Sequence, residues 1–136
     1  MARYIAIIEY DDDEQMFGAF FPDADGCTAM GSTEEEVVAN ATDALAEWVT
    51  DAVADGRDVP TPRSYVQLRK SGEYDLGKGA MIATIPLYYE SGRSVRANLS
   101  LDAGLLQSID SEAANLGITR SAFLAAAARD KIRKTA

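Results

Sequence analysis

Carboxylates supply most of the reactive chemistry in this chain, so the first question is whether any set of them is spaced to hold a metal or move a proton. Of 136 residues 22 are acidic and none is histidine. Without imidazole the chain lacks the side chain most used for proton transfer near pH 7 and the commonest zinc ligand. Serine–histidine and cysteine–histidine catalysis are therefore excluded within the chain. The lone Cys27 can form no internal disulfide, which fits a reducing cytoplasm. The run Asp11-Asp12-Asp13-Glu14 carries hard oxygen ligands, but consecutive acids on a turn diverge, and it reads as a solvated turn. Asp23, Asp25 and Glu34 fall where an EF-hand loop needs its first, third and twelfth residues, yet the obligatory glycine is replaced by Thr28 and the fifth ligand by Cys27. No catalytic residue, metal site or cofactor is expected. A second polar set, Arg96, Asn98 and Ser100, recurs at every other position near the other end of the chain.

The element that positions this second set is a strand. Ser94–Leu101 alternates, with Val95, Ala97, Leu99 and Leu101 on one face and Arg96, Asn98 and Ser100 on the other. Asp102 then caps a helix whose apolar side is Leu105, Leu106, Ile109, Ala113 and Leu116, stopped by Gly117. Thr119 caps a second helix, from Arg120 to about Arg133, expected to bury Phe123, Leu124, Ala127, Ala128 and Ile132. One strand leaves every ladder hydrogen bond unmade, and some forty residues cannot bury these faces alone. A two-fold dimer is the simplest remedy: two strands pair antiparallel into a ribbon over four helices, with Val95, Ala97, Leu99, Leu101, Leu106, Ile109, Phe123 and Leu124 as its core. Such a ribbon fits the major groove of double-stranded DNA.

Ahead of it, Tyr4–Tyr10 and Met16–Phe21 are β-rich and flank the acidic turn, which reads as a hairpin. Pro22–Gly26 is turn chemistry, and Cys27–Met30 is a short third strand. Thr33 caps a helix, with Glu36 placed for a capping box and a stripe of Val38, Ala41, Leu45, Trp48 and Ala52; Trp48 reads as core and Gly56 as the stop. Asp58–Arg63 is a proline-set connector and Ser71–Gly79 a loop. Ala80–Leu87 is a further strand in which Pro86 requires an edge or an end. The fold class is α+β, with a β-β-β-α-β unit covered on one face by one helix, over residues 1–90, and a β-α-α unit over 91–136.

Charge divides the chain in the same place. Residues 1–93 hold 18 acids and 7 bases, whereas residues 94–136 hold 4 acids and 6 bases, within a net charge of −9. The acidic part suits a basic protein partner and the remainder suits DNA. No apolar run reaches the roughly 20 residues that span a bilayer, and a secretory leader is not seen, so a cytoplasmic location without a membrane partner is expected.

The residues Phe17-Gly18-Ala19-Phe20-Phe21-Pro22-Asp23, Gly26-Cys27, Gly31-Ser32-Thr33-Glu34-Glu35-Glu36, the alanine-rich helix to Trp48, Asp55-Gly56 and Val59-Pro60 resemble the N-terminal domain of the HicB antitoxin family over about residues 3–64. That family often has proline where Ala24 or Asp25 stands. The resemblance implies a truncated ribonuclease-H-like fold and capture of a HicA-like ribonuclease toxin; it does not say which residues touch the toxin. Residues 94–133, including the turn Gly117-Ile118-Thr119-Arg120-Ser121-Ala122-Phe123, resemble the ribbon-helix-helix superfamily. By that resemblance Arg96, Asn98 and Ser100 read bases, while Thr119 and the backbone amides of Arg120 and Ser121 hold a phosphate, as unpaired amides at a helix start can. Arg96, Arg120, Arg129, Lys131, Arg133 and Lys134 would make the face toward the duplex basic.

Together these imply an antitoxin that blocks its toxin and, as a dimer or tetramer, represses its own operon. Two alternatives belong to other classes. One is a stand-alone regulator whose N-terminal domain senses a small ligand. The other is a metal-dependent nuclease built on carboxylates, for which the first strand supplies only Glu9 and the second none, too few to converge on two ions.

Overall fold

A strand buried on both faces needs cover on both, and Tyr4, Ile5, Ala6, Ile7 and Ile8 are all buried. They belong to β1 (Arg3–Asp11), an interior strand of an antiparallel four-stranded sheet completed by β2 (Met16–Phe21), β3 (Ala24–Gly31) and β4 (Met81–Pro86), in the order β3-β2-β1-β4. The computed structural model describes residues 1–76 and 79–134. The chain divides into two compact units, Met1–Arg93 and Ser94–Ala136. Its α+β character agrees with expectation: the described residues form one four-stranded sheet and four helices.

Alternate residues of a strand point to opposite faces. Tyr4, Ala6 and Ile8 pack with Ala19, Phe21, Ile85 and the helix α1 (Glu34–Ala54), while Ile5 and Ile7 pack with Leu68 of α2 (Tyr65–Ser71) together with Phe20 and Ile82. The expectation of one covering helix is thereby corrected, and the unit runs β-β-β-α-α-β. With seven residues, α2 is too short to show a helical period, but its ends are marked. Ser64 and Gln67 form a reciprocal capping box and Gly72 closes the helix in the left-handed region. Of the loop expected over Ser71–Gly79, Ser71 ends α2, and Gly77 and Lys78 lie outside the described residues.

The third strand also begins earlier than expected. Phe21 pairs with Ala24, so the turn is only Pro22–Asp23, and a register shift between Phe20 and Phe21 takes up Asp25, Gly26 and Cys27. Pro86 is the last residue of β4, at the sheet edge, where its missing N–H leaves no interior ladder bond unmade.

In α1, Thr33 Oγ1 accepts the Glu36 amide at 3.1 Å, as a cap should. The Glu36 carboxylate reaches one residue further than expected: it accepts from the amide and the hydroxyl of Ser32. The Ser32 hydroxyl is the main reason this carboxyl is held below its ordinary pKa. The buried stripe is Val37, Ala41, Leu45, Val49 and Ala52. Val38 and Trp48, expected inside, flank it half-buried. Trp48 sits there because its indole N–H needs a partner, which it finds in the Asp25 carbonyl at 3.0 Å. Close approach of α1 to the sheet depends on Gly31, where a Cβ would stand 2.4 Å from the Val37 nitrogen.

One arginine closes the N-terminal unit. The Arg63 amide donates to Asp23 Oδ2 at 2.7 Å and its Nε to Asp23 Oδ1 at 2.8 Å, while its terminal nitrogens reach both oxygens of Glu73. The β2–β3 turn, the connector after α1 and the segment after α2 are tied at one point. The Tyr4 hydroxyl donates to the Pro60 carbonyl at 2.6 Å, and burial first, then Asp23, raises its pKa.

The second unit contains a pair of contacting helices, α3 (Ala103–Leu116) and α4 (Arg120–Lys134). Asp102 Oδ1 accepts the Leu105 amide at 3.0 Å. Gly117, at φ 68°, ends α3 in a conformation that costs other residues more, and the Ile118 amide closes the turn on the Ala113 carbonyl.

Candidate nucleic-acid interface

Residues 94–101 form neither helix nor strand within the chain, and all are exposed. The strand expected there is therefore not made by a single copy. A ladder needs a second strand, and Ser94–Ala136 contains no other segment of that kind among the described residues. Arg96, Asn98 and Ser100 lie together on this segment, open to solvent. So do the residues assigned to a core: Val95 is 76% exposed, Leu99 66% and Leu101 39%, and Ala97 is exposed as well.

The helix pair is equally incomplete. Ile109 and Ala113 are buried, whereas Leu106, Phe123, Leu124 and Ile132 are half-buried. Leu105, Leu116, Ala127 and Ala128, expected inside, are exposed, and no described residue of α4 is buried. Apolar stripes read from spacing mark what could be covered, and within the chain these faces stay largely open.

At the start of α4 the geometry is well defined. Thr119 Oγ1 accepts the Ala122 amide at 3.1 Å and the Thr119 carbonyl accepts the Phe123 amide at 3.0 Å. The amides of Arg120 and Ser121 precede the first carbonyl-to-amide bond of the helix and have no acceptor within it. The Arg120 side chain, expected to add to a basic face, is engaged elsewhere: its Nε and one terminal nitrogen donate to the two oxygens of Asp110, each at 2.8 Å. The bidentate pair holds the Asp110 carboxyl below, and the Arg120 guanidinium above, their ordinary pKa values. Asp110 was not singled out by the sequence, because a partner ten residues away across a turn follows no helical period. Lys131, Arg133 and Lys134 form the last turn of α4.

Among the described residues no group of three or more His, Cys, Asp or Glu could share a metal ion. Asp23, considered above as a calcium ligand, is instead committed to Arg63. Cys27 is buried, and desolvation pushes its thiol up to about 11, so it is a poor nucleophile at neutral pH. No helix among the described residues is long and apolar enough to cross a membrane.

A four-stranded sheet with α1 on one face and α2 on the other, followed by a capped helix pair preceded by an exposed segment, defines a two-unit α+β protein. The chain belongs to the family described as HicB-like antitoxins of bacterial toxin–antitoxin systems, whose model matches residues 4–128. Among solved structures it is similar to the antitoxin HicB of Burkholderia pseudomallei, at 29% identity and a TM-score of 0.58, over 94% of this chain and 96% of that one. It is likewise similar to the antitoxin HicB3, at 29% identity and a TM-score of 0.53, over 96% and 97% of the two chains. A toxin–antitoxin complex from Streptococcus pneumoniae shares the fold at 20% identity and a TM-score of 0.50, over 96% and 98%. No match was found among curated proteins.

Proposed function

We propose that this antitoxin holds a HicA-like ribonuclease toxin through its acidic N-terminal unit and, through its C-terminal unit, pairs with a second copy to form a ribbon that reads operator DNA. Neither unit is an enzyme in this reading. The observation that carries it is the segment 94–101, which presents Arg96, Asn98 and Ser100 beside Val95 and Leu99 with no cover for either set. Pairing with a copy of itself would bury the apolar set and fill the ladder, leaving the polar set, doubled by symmetry, on one outer surface. Arginine and asparagine suit bidentate contacts to guanine and adenine, and Ser100 is a weaker reader. Thr119 and the free amides of Arg120 and Ser121 fit a phosphate at the start of α4, with the last-turn bases adding charge. Net −11 over residues 1–93 speeds association with a cationic toxin.

The test is a gel shift on the promoter of the chain's own operon. Arg96→Ala or Asn98→Ala should weaken binding by roughly 1 to 3 kcal/mol while the dimer persists in sedimentation. Unchanged binding with an intact fold removes the ribbon from recognition. For the other half, co-expression with the protein encoded by the neighbouring short frame should rescue growth and yield a co-purifying complex. Free toxin beside intact antitoxin would refute it.

A further inference from the structure

The second helix covers only part of its sheet face. Register and alternation place Ile5, Ile7, Glu9 and Asp11 of β1, Met16, Gly18 and Phe20 of β2, and Thr28 and Met30 of β3 on the side where α2 lies. Ile5, Ile7 and Phe20 pack with Leu68, Tyr74 and Leu76. Beyond them the helical layer stops, and Glu9, Asp11, Met16, Gly18, Thr28 and Met30 line an open groove of about 800 Å³. Met30 is 55% exposed there.

Gly18 distinguishes this strip from an ordinary solvated sheet. It sits inside β2, an interior strand, where glycine weakens the sheet and leaves nothing to pack. Its φ is not positive, and a Cβ added to it would meet no atom within 4 Å. Gly31 is required by the neighbouring α1 backbone; at Gly18 no contact of a Cβ with the described residues calls for glycine. A bare strand position of this kind lets another backbone lie close. The groove's rim is of one sign: Glu9, Asp11, Asp12, Asp13 and Glu14 contribute carboxylates and no base lines it. Asp11 accepts the amides of Asp13 and Glu14, which folds the turn at the groove's end.

We infer that this uncovered half of the sheet is where the N-terminal unit docks the toxin, a basic element of which lies across Gly18 with its cations against the acidic rim. The inference rests on the toxin-capturing reading above and adds the surface. A ribonuclease must present a cationic face to RNA phosphates, so a partner held here by its cations is held by its substrate-binding side. A second copy of this chain is a poor occupant, because the same acidic rim would face itself.

Calorimetry with the neighbouring-frame toxin and the full-length antitoxin tests this, using Gly18→Trp to fill the groove and the pair Asp12→Lys, Asp13→Lys to reverse its rim. Each variant should weaken toxin binding by at least about 30-fold, the scale of an interface hot spot, with operator affinity and thermal unfolding unchanged. If Gly18→Trp unfolds, the lysine pair, on an exposed turn, carries the test alone. Undiminished toxin affinity in the folded variants overturns the placement while the antitoxin reading stands. A smaller native oligomer with full toxin affinity also overturns it, assigning the groove to a second copy. No binding by the unsubstituted chain removes the reading on which it rests.

Discussion

The two units solve the problem of apolar burial in different ways. The N-terminal unit has a core of its own: Tyr4–Ile8 of β1 are buried on both faces, and Tyr4, Ile8, Leu45, Leu68, Ile85, Val37 and Val49 are almost wholly inaccessible. The C-terminal unit buries only Ile109 and Ala113 among its described residues and leaves Val95, Leu99, Leu105 and Leu116 largely in water. A self-sufficient core needs no second copy, whereas exposed apolar spacing at a strand period asks for one. Under the function proposed above, a unit that captures a toxin would stand alone, whereas a unit that reads a two-fold DNA site would gain from being completed only on dimerisation.

The sharpest way to break this contrast is Leu99→Asp. Two copies would place carboxylates in the expected ribbon core, each costing on the order of 3 to 5 kcal/mol if left unpaired. Sedimentation should show monomers, operator binding should vanish, and the N-terminal unit should unfold as before; a dimer as tight as that of the unsubstituted chain would end the comparison. Leu45→Ala addresses the other side. Its cost should be about 2 to 5 kcal/mol, seen as a lower melting transition of the sheet unit with no change in dimer dissociation. A smaller effect is expected of Asp102→Ala, about 0.5 to 2 kcal/mol from loss of the α3 cap, read as helicity lost on dilution.

Acid sharpens the comparison last. Glu36 and Asp110 both have folded pKa values below their ordinary ones, through Ser32 and Arg120. A depressed carboxyl contributes stability that is complete above its unfolded value and is lost as pH falls through the folded value. Titration followed by NMR should therefore show both carboxyls more than half charged at a pH where free Glu and Asp are half protonated, near 4. Titration at the ordinary values would remove both contacts. Asp110→Ala, which removes both acceptors of the Arg120 side chain, should raise the Arg120 Nε exchange rate without altering the N-terminal unit.

Much of the molecule was legible from local signals. The hairpin, the caps at Thr33, Asp102 and Thr119, the stops at Gly56 and Gly117 and the edge position of Pro86 follow from side-chain hydrogen bonding and backbone freedom that act over a few residues. α2 was missed because seven residues do not make a period, although Ser64, Gln67 and Gly72 carried its ends. The α1 stripe slipped from Val38 and Trp48 to Val37 and Val49, because spacing alone does not say how a helix is rotated on its sheet. In the candidate interface, the alternation of Arg96, Asn98 and Ser100 was plain, but Asp110 and the groove at Gly18 depend on groups far apart in the chain.

The amino-acid order by itself determined where α1, α3 and α4 begin, that the chain carries opposite charge in its two parts, and that residues 94–101 alternate between apolar and polar. Those are short-range facts, set by propensity, capping and period. Only the tertiary structure decided that two helices enclose β1, that Arg63 joins three loops, that Arg120 is paired with Asp110, and that half of one sheet face stays bare. Each of these depends on which groups the fold brings together or leaves apart, and placement of that kind leaves no period to read along a chain.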